Sequence, residues 1–139
     1  MTADREIGVI EERPLIAIVD DDESMRDALA GLMRAVGWRA KHFASAEEFL
    51  KSPECTRAAC LVADVNMPGM SGPDLHRHLV ASGNGIPTIL MTAYPNDKVR
   101  TRALSAGVLG YLTKPFVEEE LLSHIRTALS QNAGEETSP

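Results

Sequence analysis

Cysteine is scarce in this chain of 139 residues, which holds only Cys55 and Cys60. No second pair and no nearby histidine completes a zinc pattern, so both read as free thiols, Cys60 as a small buried hydrophobe and Cys55 in a polar connection. A domain of this length buries roughly two-thirds of the surface its unfolded chain exposes, so neither a disulfide framework nor a metal staple is required. Long apolar runs are missing too, and nothing approaches the ~20 residues of a membrane span. Residues 1–13 carry acids where a secretory leader has a basic and then greasy stretch, which points to a soluble, cytoplasmic protein. No internal repeat is visible. With 44% hydrophobic and 24% charged residues the chain is not a disordered one, and it fits one domain.

A positive excess is also lacking. The formal charge is -6, from 14 basic and 20 acidic residues. Setting aside residues 1–13 (two basic, four acidic) and 132–139 (two acidic) leaves twelve basic and fourteen acidic side chains. Five of those acids are Asp20, Asp21, Asp22, Glu23 and Asp64, and without them the remainder is +3. The negative charge is therefore local. It points to a cation held at one place and away from a nucleic-acid surface, which needs a basic stripe.

Four near-continuous apolar runs, at 15–19, 61–63, 86–91 and 108–112, have the character of parallel strands buried on both faces. Residues 38–43 differ, because Arg39 and Lys41 leave one face apolar, and read as an edge strand. Met25, Ala28, Leu29, Leu32, Met33 and Val36 recur at helical spacing behind the capping acid Asp22 and ahead of Gly37. Further helices are expected near 45–51, 72–82, 96–106 and 117–131, the last opening on Glu118, Glu119 and Glu120 where a helix dipole favours acids. The organisation expected is an extension at 1–13, one domain at 14–131 and a flexible tail at 132–139. Five strands alternating with five helices predict an α/β three-layer sandwich with a parallel, flavodoxin-like sheet of order 2-1-3-4-5. Ligands in such sheets bind beyond the carboxyl ends of the strands, where the first and third lie side by side.

That rim is where the chemistry-bearing residues fall. The first strand runs into Asp20, Asp21 and Asp22, the third into Asp64, the fourth ends at Thr92, and Lys114 and Pro115 follow the fifth. Taken singly, Asp22 is a helix cap, Thr92 a strand-end hydroxyl and Lys114 a solvated lysine; their joint placement makes one site. Two carboxylates ~4 Å apart repel by ~4 kcal/mol at an effective dielectric of 20, and a divalent ion removes that penalty. A donor set without cysteine or histidine favours Mg²⁺ or Mn²⁺ over zinc. With the Lys114 ammonium and the Thr92 hydroxyl, such an ion makes a pocket for a phosphoryl group, and a remaining carboxylate can act as nucleophile.

In these residues the chain resembles the receiver domains of two-component response regulators, over about 15–130. The resemblance rests on Val19-Asp20-Asp21-Asp22, on Asp64-Val65-Asn66-Met67-Pro68-Gly69-Met70-Ser71-Gly72, on Met91-Thr92-Ala93 and on Tyr111-Leu112-Thr113-Lys114-Pro115-Phe116. It implies that Asp64 accepts a phosphoryl group from a phosphohistidine on a histidine kinase or histidine phosphotransfer protein. It further implies that Asp21 and Asp64 bind Mg²⁺ directly, Asp20 largely through water, and Asn66 through its backbone carbonyl. Thr92 and Lys114 then grip phosphoryl oxygens beside the small Ala93, and the Lys114-Pro115 bond is cis. Tyr111 resembles the family's switch aromatic, which follows the Thr92 hydroxyl inward and alters the face formed by the fourth helix, fifth strand and fifth helix, a face open to homodimers. Bulky Tyr94 is expected to shield the acyl phosphate from hydrolytic water. Ser45-Ala46-Glu47-Glu48-Phe49-Leu50 is similar to receivers of the nitrogen-fixation type, commonly fused to helix-turn-helix output domains. Eight tail residues cannot form one, so the output protein or segment lies elsewhere. The expectation is a signalling phosphoacceptor that catalyses its own phosphorylation and dephosphorylation, rather than an enzyme acting on others, with no direct contact to nucleic acid or membrane.

Two other readings stand beside this one. A small phosphatase of the haloacid dehalogenase type also uses Asp-x-Asp at a strand end, with Asp20 as nucleophile. It needs further acids after the lysine strand, where only Glu118, Glu119 and Glu120 are offered, and it leaves Asp64 without a role. A receiver-fold module that binds partners without taking phosphate is opposed by the complete acid, hydroxyl and lysine set. His76 and His78, two apart on a helix, are expected at the surface on different faces. Met67 and Met70 read as loop packing, and Gly69 and Gly72 as shaping the turn that opens the next helix.

Overall fold

The computed structural model describes residues 13–137, with the backbone path alone for 132–137. The proposed extension at 1–13 therefore falls almost wholly outside the described residues. Five strands, β1 (Leu15–Val19), β2 (Arg39–Phe43), β3 (Cys60–Asp64), β4 (Thr88–Thr92) and β5 (Gly110–Thr113), pair in parallel in the order β2-β1-β3-β4-β5. Between and after them run α1 (Glu23–Val36), α2 (Ala46–Leu50), α3 (Gly72–Ala81), α4 (Asp97–Ser105) and α5 (Glu118–Thr137), with a 3-10 turn at Pro53–Thr56. This is the flavodoxin-like sandwich that the alternating runs predict. No helix among the described residues is long and apolar enough to cross a membrane.

The central strands are buried because every residue faces one of two apolar layers. Ala17, Val19, Leu61, Ala63 and Leu90 point to the side holding α2, α3 and α4, while Ile16, Ile18, Val62, Ile89 and Met91 point to α1 and α5. Each fully buried Ile or Leu contributes roughly 1.5–3 kcal/mol. Edge strand β2 alternates as Arg39 and Lys41 require, and anchors itself through Phe43, whose ring meets Phe49 of α2 edge-on at 5.3 Å.

Local signals explain most boundaries. Asp22 accepts from the Ser24 N–H at the start of α1, and Gly37, at φ 107°, closes it by donating to the Arg34 and Met33 carbonyls. Four expectations need correction. The buried stripe of α1 is Leu29, Ala30 and Met33, whereas Ala28 and Val36 are exposed, because α1 lies over β1 and the sheet's edge and is covered on a narrower face. Strand β4 begins at Thr88 rather than 86, since Pro87 has no N–H to give the ladder. Strand β5 begins at Gly110 rather than 108, because the Val108 N–H is taken by the Ala103 carbonyl closing α4. Helix α5 continues past 131 to Thr137, as no proline interrupts it before Pro139.

Candidate functional site

The ladder itself delivers the site. Asp64 is the last residue of β3, in register with Met91, and Thr92 is in register with Thr113. Backbone bonds continue one residue further, from Asp20 N to the Phe43 carbonyl, from Val65 N to Met91 and from Lys114 N to Thr92. Side chains from four strand ends are thus held in place by backbone pairing rather than by loops.

Asp20, Asp21 and Asp64 each present a carboxylate oxygen, all within 4.8 Å of one another. Asp20 is wholly buried and fully engaged: its Oδ1 accepts from the Asp22 N–H at 2.9 Å and its Oδ2 from Lys114 Nζ at 2.9 Å. Arg26 adds a bond from Nη1 to the Asp20 carbonyl at 2.8 Å. Lys114 Nζ also lies 3.3 Å from Asp64 Oδ1. Among the described residues no buried side-chain nitrogen or oxygen lacks a partner, so Asp64 Oδ2, which has no protein donor, reaches water.

Burial pushes the Asp64 carboxyl above its ordinary range; the Lys114 cation opposes this, and the neighbouring Asp20 and Asp21 charges reinforce it. Burial alone would lower Lys114, but its bonds to Asp20 and Asp64 outweigh that and raise it. The site thus holds an under-compensated group of acids, with one lysine against three carboxylates. A hard divalent cation fits this all-oxygen donor set, and exposed Asp21 leaves one side open to water ligands.

The remaining predicted residues converge on the same rim. Buried Thr92 donates its hydroxyl to Asn66 Oδ1 at 2.9 Å and accepts from the Tyr94 N–H at 2.9 Å. The Asn66 side chain is therefore committed to Thr92, which leaves its backbone carbonyl for any ligand role. The Lys114–Pro115 peptide is cis. Tyr111 is half-buried against the α2–α4 layer, and its hydroxyl accepts from the Asn96 N–H at 3.4 Å, at the cap of α4. Tyr94 is 74% exposed, and its backbone N–H bonds the Thr92 hydroxyl.

The sequence reading gave no part in the site to three supporting residues. Gly72 lets α3 approach β3 so closely that a Cβ there would lie 2.4 Å from the Asp64 carbonyl oxygen. Glu47 Oε2 accepts from the Met70 N–H at 3.0 Å and so pins the loop after Asp64. Arg26 braces Asp20 from α1. Only Gly72 left a sequence signal, as a glycine just before Pro73 at a helix start. His76 is a further correction, since it is buried under the α3–α4 seam rather than at the surface, with burial and Arg77 lowering its affinity for a proton. His78 is exposed, as expected. Cys60 is fully buried, which lifts its thiol to about 12, and Cys55 is half-buried; both are free.

A parallel sheet whose first and third strands meet in acids, with a hydroxyl and a lysine on the adjoining strand ends, defines a site for cation-assisted handling of a phosphoryl group. The family model for the response regulator receiver domain matches residues 16–126. The chain is 42% identical over 119 residues to the response regulator protein TmoT of Ectopseudomonas mendocina, covering 86% of this chain and 54% of that one. It superposes on the response regulator StyR with TM-score 0.82 and 39% identity, over 89% of this chain and 63% of that one. On FixJ-N the TM-score is 0.77 with 32% identity, over 86% and 95%. The chain belongs to the response regulator receiver domain family. It spans about half the length of the curated relatives it matches.

Proposed function

We propose that this domain is the phosphoacceptor of a two-component relay and that Asp64 is the acceptor. The observation that carries this is the inequality between the two buried acids: Asp20 has both oxygens engaged, whereas Asp64 keeps Oδ2 open to water. The same inequality disfavours a phosphatase working through Asp20.

In the step proposed, Asp64 Oδ2 attacks the phosphorus of a phosphohistidine on a histidine kinase or phosphotransfer protein. A new O–P bond forms as the N–P bond breaks, its electron pair staying on the imidazole nitrogen, which takes up a proton. Mg²⁺, held by Asp21, Asp64 and the Asn66 carbonyl with Asp20 acting through water, would supply positive charge against the phosphoryl oxygens. Lys114 follows one oxygen from its place between Asp20 and Asp64. Thr92 turns its hydroxyl from Asn66 to another. With the hydroxyl moved, the Tyr111 ring follows into the space it opens and gives up the bond from the Asn96 N–H, altering the α4–β5–α5 face toward an output partner or a second copy. Loss of the group to water returns the domain to its resting state, so the chain would catalyse both halves of its own cycle.

Intact-mass measurement after incubation with Mg²⁺ and a small acyl phosphate tests this. One phosphoryl adduct is expected on the wild type, none when Mg²⁺ is chelated and none on Asp64→Ala. An adduct that persists on Asp64→Ala overturns the assignment.

A further inference from the structure

On the side of the sheet away from α1 and α5, a cavity of about 380 Å³ opens between α3 and α4. That size lies within the ~300–1,000 Å³ of small-molecule sites. Val65, Val99, Ala103 and Val108 give it apolar walls. Its polar members come from different elements, with His76 buried and Asn66, Arg77 and Arg102 at the exposed mouth.

His76 on α3 is 95% buried, since only 5% of its surface is accessible, and among the described residues its ring makes no hydrogen bond or ion pair. Because no buried nitrogen among the described residues is left without a partner, the ring nitrogens keep their access through the hollows that His76 lines. The ring is thus able to bond to whatever enters the cavity. Arg102, exposed in the last turn of α4, reaches the same cavity and forms no ion pair among the described residues, unlike Arg77, which is paired with Asp74. Burial and the Arg77 charge both hold His76 neutral, so it can donate or accept a hydrogen bond without adding charge. Asn66 forms part of the wall, so an occupant sits one hydrogen bond from the Thr92 hydroxyl.

We propose that the α3–α4 cavity is a binding site for a small carboxylate with an apolar body, its carboxylate meeting Arg102 and His76 and its body filling the space between Val65, Val99, Ala103 and Val108. Apart from Asn66 in its wall, the site uses none of the groups that handle phosphate, and its occupancy does not depend on Asp64 being the acceptor.

The test is an amide NMR titration of the full chain with phenylacetate, with 2-phenylethanol as the uncharged counterpart. Saturable shifts are expected at Val65, Val99 and Ala103, with a dissociation constant at or below about 1 mM. The alcohol should bind about tenfold more weakly, and Arg102→Gln should bring phenylacetate down to the alcohol's level. Ala106→Leu, at the exposed rim, should block both probes, while Asp64→Asn should bind phenylacetate as the wild type does. The proposal is overturned if no saturable shifts appear, if they survive Ala106→Leu, or if alcohol and carboxylate bind alike. Shifts at these residues that follow protein concentration rather than probe would assign the groove to a second copy and overturn it as well.

Discussion

Along each central strand, one peptide step separates two kinds of burial. Val19, Ala63 and Met91 are fully buried and apolar; Asp20, Asp64 and Thr92, the next residues in each strand, are as deeply or nearly as deeply buried and polar. Beneath the step, dehydration stabilises the fold. Above it, dehydration opposes the charges it encloses, and Lys114 balances only part of that opposition. The sheet interior therefore holds the molecule together, while the rim keeps acids in a state that a cation relieves.

Four substitutions sharpen or break this contrast. The largest effect on stability is expected inside the sheet: Leu61→Ala should cost about 2–5 kcal/mol in a denaturant melt while leaving adduct formation per folded molecule unchanged. Gly72→Ala should cost about 1–3 kcal/mol and also slow phosphorylation, because its methyl group must push α3 away from the Asp64 carbonyl. If Gly72→Ala leaves the rate untouched, rim and interior are less tightly joined than the contact implies.

Asp64→Asn tests the rim alone. The folded carboxyl titrates above its ordinary value of 3.8, so stability present below that value is lost as pH rises through the raised one. The variant escapes this loss. Without divalent cation it should melt above the wild type at neutral pH, with the gap closing below about pH 4. A wild type that is the more stable at neutral pH would mean that Lys114 over-compensates the acids. The smallest effect on stability is expected at Tyr94, where Tyr94→Ala should change it by less than about 0.5 kcal/mol because the ring stands in solvent, while a shorter adduct lifetime would show the ring shielding the acyl phosphate.

Most of the fold was legible because parallel strands buried on both faces leave uninterrupted apolar runs, and because acids, a hydroxyl and a lysine each followed one of them. Where those runs met competing local chemistry, the boundaries moved, as at Pro87 and at Val108. His76 was misread because its neighbours Arg77 and His78 are exposed, and a polar residue on a buried helical face carries no local mark of its surroundings. Glu47 and Arg26 act through contacts 23 and 6 residues away in sequence, which no spacing rule anticipates. The pairing of Asn66 with Thr92 likewise depends on β3 and β4 being neighbours, a fact of topology rather than of either segment.

The central claim is that the carboxylate at position 64, and neither of the acids at 20 and 21, carries the phosphoryl group. Sodium borohydride reduces an acyl phosphate to the alcohol, so trapping the freshly phosphorylated chain and sequencing its peptides should find homoserine at position 64 with residues 20 and 21 intact. Homoserine at 20 or 21, with aspartate unchanged at 64, would contradict the account.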